Sequence, residues 1–551
     1  MESSSTAGSG NPPAAGLNLP ESYRRKATGL VREIPLKNMI AFSISGATPV
    51  AVVLAGGLFA VFGAFPGANF TLDLILSIAA LPLMLVVFSL MAATMPRAGG
   101  DYLFASRFLH PILGLFSHFG TYLGAALSIG FACFGLTHFG LSPAFAVIGT
   151  VTESHGFITA SEDVAKSGWT FAIGSVLIIA LSVLSIMGTA TAMRWIAYGI
   201  YISSAAVVVG IVIMLFSSHQ DFVDALNSTA SSVGVHTDVF TNTVKEGAKG
   251  GAWYPSVSGY DVRNTIGAFY PTFTLICATF YGTFVIGEMR GAGKRQRQLV
   301  SMLASGLANG LLVLIGILIM ASTINYNFMV AATSGFFGLE LPATFTLFMA
   351  MLTNSVVAVI LVLAFVLAIP CWLYGQLALC QRTPFALAFD GVLPKRFARV
   401  NARTHTPIPA IVFTMVLGIL INLWASFSSG FLEMLAYIGV AGFLAPIFVG
   451  LSALSLYFRH KDLYRGSPAE WNLFGVPVLP IAACGAIGLG LFLETLIFVF
   501  HENLGVVHIY IPVLILLGLM AAAILTYTIA VRAQRDRGVD LTLVYRSIPA
   551  E

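Results

Sequence analysis

Twelve stretches of this chain, each about twenty residues long and almost free of charge, constrain its fold more than any other feature. At about 1.5 Å per residue, a run of that length is what an α-helix needs to cross the hydrocarbon core of a bilayer. The runs lie near 35–63, 72–94, 112–148, 169–187, 196–216, 266–287, 299–324, 356–379, 408–427, 431–458, 476–500 and 506–530. Of the 551 residues, 57% are hydrophobic and 9% charged, with a mean hydropathy of +0.88. Soluble domains carry roughly a quarter charged residues, so the chain reads as an all-α integral membrane protein. A net charge of +4 is too small for a nucleic-acid binder. Cys133, Cys277, Cys371, Cys380 and Cys484 lie scattered in apolar stretches without CxxC spacing. They read as small buried hydrophobes, which leaves no disulfide framework and no metal site to expect.

The cationic residues orient the spans. With the N-terminus in the cytoplasm, about 24 of the 28 Lys and Arg residues fall on that side. Only Lys166, Lys245, Lys249 and Arg263 fall outside, although the longest loop, 217–264, is there. The expectation is therefore twelve spans with both termini cytoplasmic. An additional short or re-entrant helix in 342–356 is the alternative. The division that follows is a cytoplasmic disordered tail (1–34, with the basic cluster Arg24, Arg25, Lys26 and no signal-peptide pattern), five spans (35–216), an external loop (217–264), five spans (265–458), two peripheral spans (459–530) and a cytoplasmic tail (531–551). The sequon Asn227-Ser228-Thr229 in the external loop reads more readily as a chance triplet than as a glycosylation site.

Irregular backbone at membrane depth survives only where it lines a cavity or is buried in protein, so helix breaks carry the functional information. Span 1 contains Ser43-Ile44-Ser45-Gly46-Ala47-Thr48-Pro49. Pro49 lacks an amide hydrogen and disfavours a helical Thr48, and Gly46 weakens the helix. The stretch reads either as an unwound segment facing a site or as a proline kink. Span 6 places Thr272 to Gly282 at mid-membrane, bracketed by Pro271 and Gly282. Two interrupted helices in corresponding positions of two halves point to a secondary transporter with inverted repeats.

Three stretches carry a family resemblance. Pro96-Arg97-Ala98-Gly99-Gly100-Asp101-Tyr102, the pair Glu288 and Arg290 at the end of span 6, and Arg382-Thr383-Pro384 through Asp390-Gly391 to Pro394 resemble loops of the amino acid, polyamine and organocation permease superfamily. The resemblance covers about 35–465. It implies a 5+5 inverted-repeat core of the leucine-transporter type plus two peripheral helices, with helices 1 and 6 broken. It also implies an amino-acid site between helices 1, 3, 6 and 8. The substrate carboxylate would meet amides of Ser45, Gly46, Ala47 and Thr48, and its amine would meet carbonyls at the two breaks. In span 6 the family's unwinding glycine aligns with Ala278, while Gly282 lies a turn later. The expected lining is therefore Thr274, Ile276, Ala278, Thr279, Phe280 and Tyr281, with Phe280 as the gating aromatic. Tyr122 on span 3 and Trp372 and Gln376 after the Pro370 kink of span 8 are further lining candidates, each with core packing as its alternative. Glu288 and Asp390, among many cations, are candidates for gate ion pairs or for simple charge balance.

Some proton-coupled relatives carry a lysine on helix 5, and the resemblance puts Ser203 there. No cofactor or metal is expected. Coupling to H+ or Na+, and uncoupled exchange, remain open, with Glu494, Asp73, Glu433, His118 and His138 as titratable candidates. The functional reading is a plasma-membrane amino-acid permease working by alternating access, as symporter or antiporter, with the amino acid and the lipid bilayer as its partners. The alternatives are a polyamine or organic-cation carrier or exchanger and, further off, a non-transporting receptor. A membrane enzyme finds no support, because the ten histidines are dispersed and no paired-carboxylate or HExxH helix occurs.

Overall fold

The computed structural model describes residues 32–57, 59–252, 259–428 and 431–546. Among them, ten helices are long and apolar enough to cross a membrane. Numbered by the twelve runs, they are span 2 (Phe70–Thr94), span 3 (Pro111–Thr152), span 4 (Ser167–Ile186), span 5 (Thr189–Leu215), span 7 (Arg295–Thr323), span 8 (Ser355–Phe389), span 9 (Ile408–Phe427), span 10 (Glu433–Arg459), span 11 (Val478–Val499) and span 12 (Tyr510–Arg535). Runs 1 and 6 are helical but interrupted. The one sheet among the described residues is a two-residue hairpin, Asn472–Leu473 with Val476–Pro477. The chain is an all-α, multi-pass membrane protein.

The interruptions follow local chemistry. Span 1 is α-helical over Leu36–Gly46 and resumes at Val50. Between them Ala47 (ψ 174°) and Pro49 (ψ 146°) leave the helical region, at the point where Pro49 lacks an amide hydrogen and restricts Thr48 before it. Span 6 is α-helical over Val262–Cys277 and then tightens into 3-10 turns over Ala278–Phe284 and Ile286–Glu288. Pro271, expected to bracket that break, lies inside the α-helix. A single lost i→i−4 bond is tolerated there because spans 2, 7, 10 and 11 all pack on the helix. Span 8 re-phases at Leu367, where Pro370 leaves the Val366 carbonyl without its amide. Span 10 also breaks, between Phe431–Gly442 and Leu444–Arg459. Pro446 stands four residues after Gly442, so the same lost bond explains it.

Several loops are more ordered than expected. The tail expected to be disordered through residue 34 is structured at its end. Ile34 is buried and bridges Met289, its amide donating to the Glu288 carbonyl (3.0 Å) and its carbonyl accepting from Arg290 (3.0 Å). The expected basic cluster Arg24, Arg25 and Lys26 lies outside the described residues. The C-terminal tail folds back under the loop helix Gly100–Phe108, where the hydroxyls of Tyr545 and Tyr102 lie 3.2 Å apart. The Arg107 guanidinium stands 5.0 Å from the centre of the Tyr545 ring. In place of a plain loop, 217–264 contains the helices His219–Ser232 and Val239–Lys249. Phe222 and Phe240 of that pair pack against Phe328 and Phe348 of the segment between spans 7 and 8. That segment holds the short helix Phe345–Met351, in the stretch where an additional helix was open.

Spans 2, 3, 8 and 10 bury most of their surface, whereas only 11% of the span 12 window is buried. An apolar helix left so exposed is satisfied only by lipid, since all its backbone bonds are internal. Span 11, expected to be peripheral, packs closely on spans 2 and 10. Cys484 on its outer face is exposed, unlike the other four cysteines, because that face has no helix against it.

Candidate functional site

A cavity of about 50 Å³ lies where the breaks of spans 1, 6 and 10 meet spans 3 and 8. Its walls are Gly46 and Thr48 from span 1, Ser128 and Phe131 from span 3, and Thr274, Cys277, Ala278, Phe280 and Tyr281 from span 6. Trp372 and Gln376 of span 8 and Leu435, Ile438, Gly439, Gly442 and Phe443 of span 10 complete it. Not one of these side chains is ionisable at neutral pH. The Phe131 and Trp372 rings meet edge to face at 5.2 Å, and Phe280 is fixed from behind by Phe88 at 4.5 Å.

Close backbone approach builds this meeting point. A Cβ on Gly46 would stand 2.8 Å from the Tyr281 Cβ and 3.0 Å from the Ala278 carbonyl oxygen, so only glycine lets the two breaks touch. A Cβ on Gly375 of span 8 would fall 2.5 Å from the Ser45 carbonyl oxygen. The unwound backbone is then satisfied by its neighbours. The Thr48 amide donates to the Leu275 carbonyl (3.2 Å), and Ala47 donates back to Ser43 (3.3 Å). Asn309 of span 7 accepts from the Val50 amide (3.1 Å) and donates to the Thr48 carbonyl (3.2 Å). Gln376 Nε2 donates to the Gly46 carbonyl (2.9 Å). The amides of Ala47 and Thr48, expected to be available to a carboxylate, are therefore engaged within the protein in this conformation.

The structure gathers Gly46, Thr48, Thr274, Ala278, Phe280, Tyr281, Trp372 and Gln376 around the cavity, as the sequence suggested. Five other expected residues lie elsewhere. The Ser45 hydroxyl bonds back to the Phe42 carbonyl (2.8 Å), and Ala47 is buried beside it. Ile276 and Thr279 turn toward span 7, where Thr279 Oγ1 donates to the Met302 carbonyl (3.0 Å). They sit on the opposite side of the helix from Thr274, Cys277 and Tyr281. Tyr122 falls short of the cavity because Gly120 and Gly124 bring the span 10 backbone against span 3 at that level. The lining begins further along, at Ser128 and Phe131. Those two and Cys277 were missed, as was the span 10 wall, whose signal was Gly439, Gly442 and Pro446 in one apolar run.

Toward the face bearing the Lys- and Arg-rich loops, three buried polar groups lie below the cavity. Glu288 accepts from Arg382 Nε (2.8 Å), and Arg382 also donates to Thr189 Oγ1 (2.7 Å). Asp390 pairs with Arg107 at 2.6 Å. Both candidate gate acids thus meet an arginine, with all four side chains at most 4% exposed. The third group was not anticipated. Asp101, fully buried, accepts from Ser117 (2.7 Å) and Thr121 (3.0 Å) and lies 2.9 Å from His118 Nδ1. The sequence signal was a polar face, Ser117, His118 and Thr121, on an otherwise apolar helix. Gly100 rests on the Phe284 ring, which stacks on His118, so this cluster touches the second half of span 6.

The remaining titratable candidates stand away from the cavity. Ser203 donates to the Ile200 carbonyl of its own helix (3.1 Å), His138 stacks on Phe134, and Glu433 accepts from Tyr437 (2.8 Å). The carboxylates of Asp73 and Glu494 are buried without a hydrogen-bond partner among the described residues. Among those residues no three His, Cys, Asp or Glu side chains are placed to hold a metal ion. The Asn227 side chain accepts from the Val239 amide (3.1 Å), which ties the sequon into the helix pair His219–Ser232 and Val239–Lys249.

Comparison with known proteins places these features in a family. The profile described as amino acid permease matches residues 36–525, which is most of the chain, and no curated protein matches. The chain belongs to the amino acid permease family, within the amino acid, polyamine and organocation superfamily.

Proposed function

From that membership we propose that the protein is a secondary transporter that carries amino acids across the plasma membrane by alternating access, with the Lys- and Arg-rich loops and both termini in the cytoplasm. The observation that carries this reading is a cavity bounded by the breaks of spans 1 and 6 and lined by no side chain that is charged at neutral pH. A zwitterion is neutral overall, so backbone dipoles and side-chain amides can hold it without a fixed counter-charge. A polyamine brings two or more positive charges, which in a low-dielectric cavity demand carboxylates. None lines this one.

Alternating access needs closures that form and break on either side of the site. The pairs Glu288 with Arg382 and Asp390 with Arg107, together with the bridge from Ile34 to Met289, support the basic face as one closure. The aromatic packing of Phe222, Phe240, Phe328 and Phe348 supports the other. The same fold also admits coupling to H+ or Na+.

Purified protein in liposomes should take up or exchange at least one labelled amino acid, with proton and sodium gradients imposed separately. A true substrate present at 100 times its Kd should also stabilise the fold by about 2.7 kcal/mol. Neither uptake nor stabilisation with any standard amino acid, from monodisperse protein, overturns the proposal.

A further inference from the structure

We infer that the cavity selects small amino acids with an aliphatic side chain, of glycine to alanine size. The inference rests on the amino-acid transport reading and narrows it to a chemical class.

Size is the first argument. A cavity of about 50 Å³ corresponds to roughly four water positions. Bulky rings of Phe131, Trp372, Phe280 and Phe443 wall it. Phe131 is braced by Trp372 and Phe280 by Phe88, so these walls do not yield to a leucine or an aromatic side chain without repacking. The glycines show where the free space lies. A Cβ at Gly439 would overlap the Tyr270 hydroxyl at 1.8 Å, and one at Gly46 would meet Tyr281. At Gly442, which also lines the cavity, no heavy atom lies within 4 Å of the Cβ position. The substrate side chain is assigned to that opening.

Polarity is the second argument. Ser128 Oγ donates to the Gly124 carbonyl, Thr274 Oγ1 to Tyr270, Cys277 Sγ to Thr274 and Gln376 Nε2 to Gly46. With their hydrogens committed to backbone carbonyls, Ser128, Thr274 and Cys277 offer a ligand acceptors, while Thr48 Oγ1, the Tyr281 hydroxyl and Trp372 Nε1 on the same lining offer donors. The acceptors suit the ammonium and the donors the carboxylate of a zwitterion, and neither set carries a charge to offset a charged side chain. Gln376 is 1% exposed, and its Oε1 has no partner among the described residues. Because Nε2 is held by the Gly46 carbonyl and Oε1 is screened from a water-sized group, Gln376 ties span 8 to the span 1 break. A lysine or arginine side chain would bring a second cation, for which the lining holds no carboxylate.

The test is competition and uptake in proteoliposomes with glycine, alanine, leucine, phenylalanine, lysine and glutamate. Glycine and alanine are expected to be saturable substrates, with kcat/KM at least about tenfold above the others. Gly442→Ala should raise the KM for alanine by about tenfold or more while moving that for glycine far less, the size discrimination a methyl group gives. Preferred transport of leucine, phenylalanine or a charged amino acid, or a Gly442→Ala protein that treats alanine as before, overturns the size class and leaves amino-acid transport standing. If no amino acid moves at all, the transport reading itself has failed.

Discussion

The two broken helices at the cavity keep their backbones satisfied in different ways. In span 1 the chain leaves the helix outright over Ala47 to Pro49, and its freed groups are tied to other helices through Asn309, Gln376 and the Leu275 carbonyl. In span 6 the helix narrows to 3-10 geometry and continues, keeping its bonds largely to itself. A proline forces the first solution, because it removes a donor that no local winding can replace. Without a proline at Ala278, the second remains available. The difference leaves span 1 anchored to spans 7 and 8, and the second half of span 6 held by Phe284 against Gly100 and His118, by Glu288 on Arg382 and by the two backbone bonds to Ile34.

If that contrast is right, its most sensitive point is the polar contact beneath span 6. Replacing Glu288 by Gln leaves Arg382 as a buried cation without its counter-ion, at a cost of about 3–5 kcal/mol. Thermal unfolding in detergent should report that loss. An unshifted transition would mean that water already reaches the pair. Asn309→Leu removes two of the bonds that hold the span 1 break, and at about 1–3 kcal/mol for each orphaned backbone group it should cost about 2–6 kcal/mol. Thr279→Val is the matched change on span 6. It removes one bond, to the Met302 carbonyl, and should cost about 1 kcal/mol or less. Equal losses from Asn309→Leu and Thr279→Val would erase the distinction between an anchored and a self-contained break. Gly46→Ala forces a Cβ into a 2.8 Å contact with the Tyr281 Cβ, so beyond an overpacking cost of about 1–3 kcal/mol it drives the two breaks apart, and substrate affinity should fall at least about tenfold, as measured by thermal-shift titration.

The same chemistry governs what could be read from the sequence. The span 1 break was legible because Pro49 and Gly46 write it directly. The span 6 break was placed only within Thr274 to Tyr281, since neither Pro271 nor Gly282 marks its true start at Ala278. The span 10 break carries a clear mark, Gly442 with Pro446, but in the middle of a long apolar run that signal was masked by hydropathy alone. Tyr122 was misplaced for a reason no single helix reveals. Depth along span 3 is set by how closely Gly120 and Gly124 admit span 10. The arginines that meet Glu288 and Asp390 lie 94 and 283 residues away in sequence, so charge composition suggested that partners existed without saying which.

Uptake by the purified protein, followed as labelled alanine entering liposomes in competition with unlabelled glycine, leucine and lysine, tests the central claim most directly. The account predicts saturable alanine uptake that glycine suppresses and that leucine and lysine leave nearly unchanged. Uptake that leucine or lysine suppresses as well as glycine would contradict the selectivity assigned to the cavity. The absence of uptake of any amino acid would contradict the assignment of the cavity as a transport site.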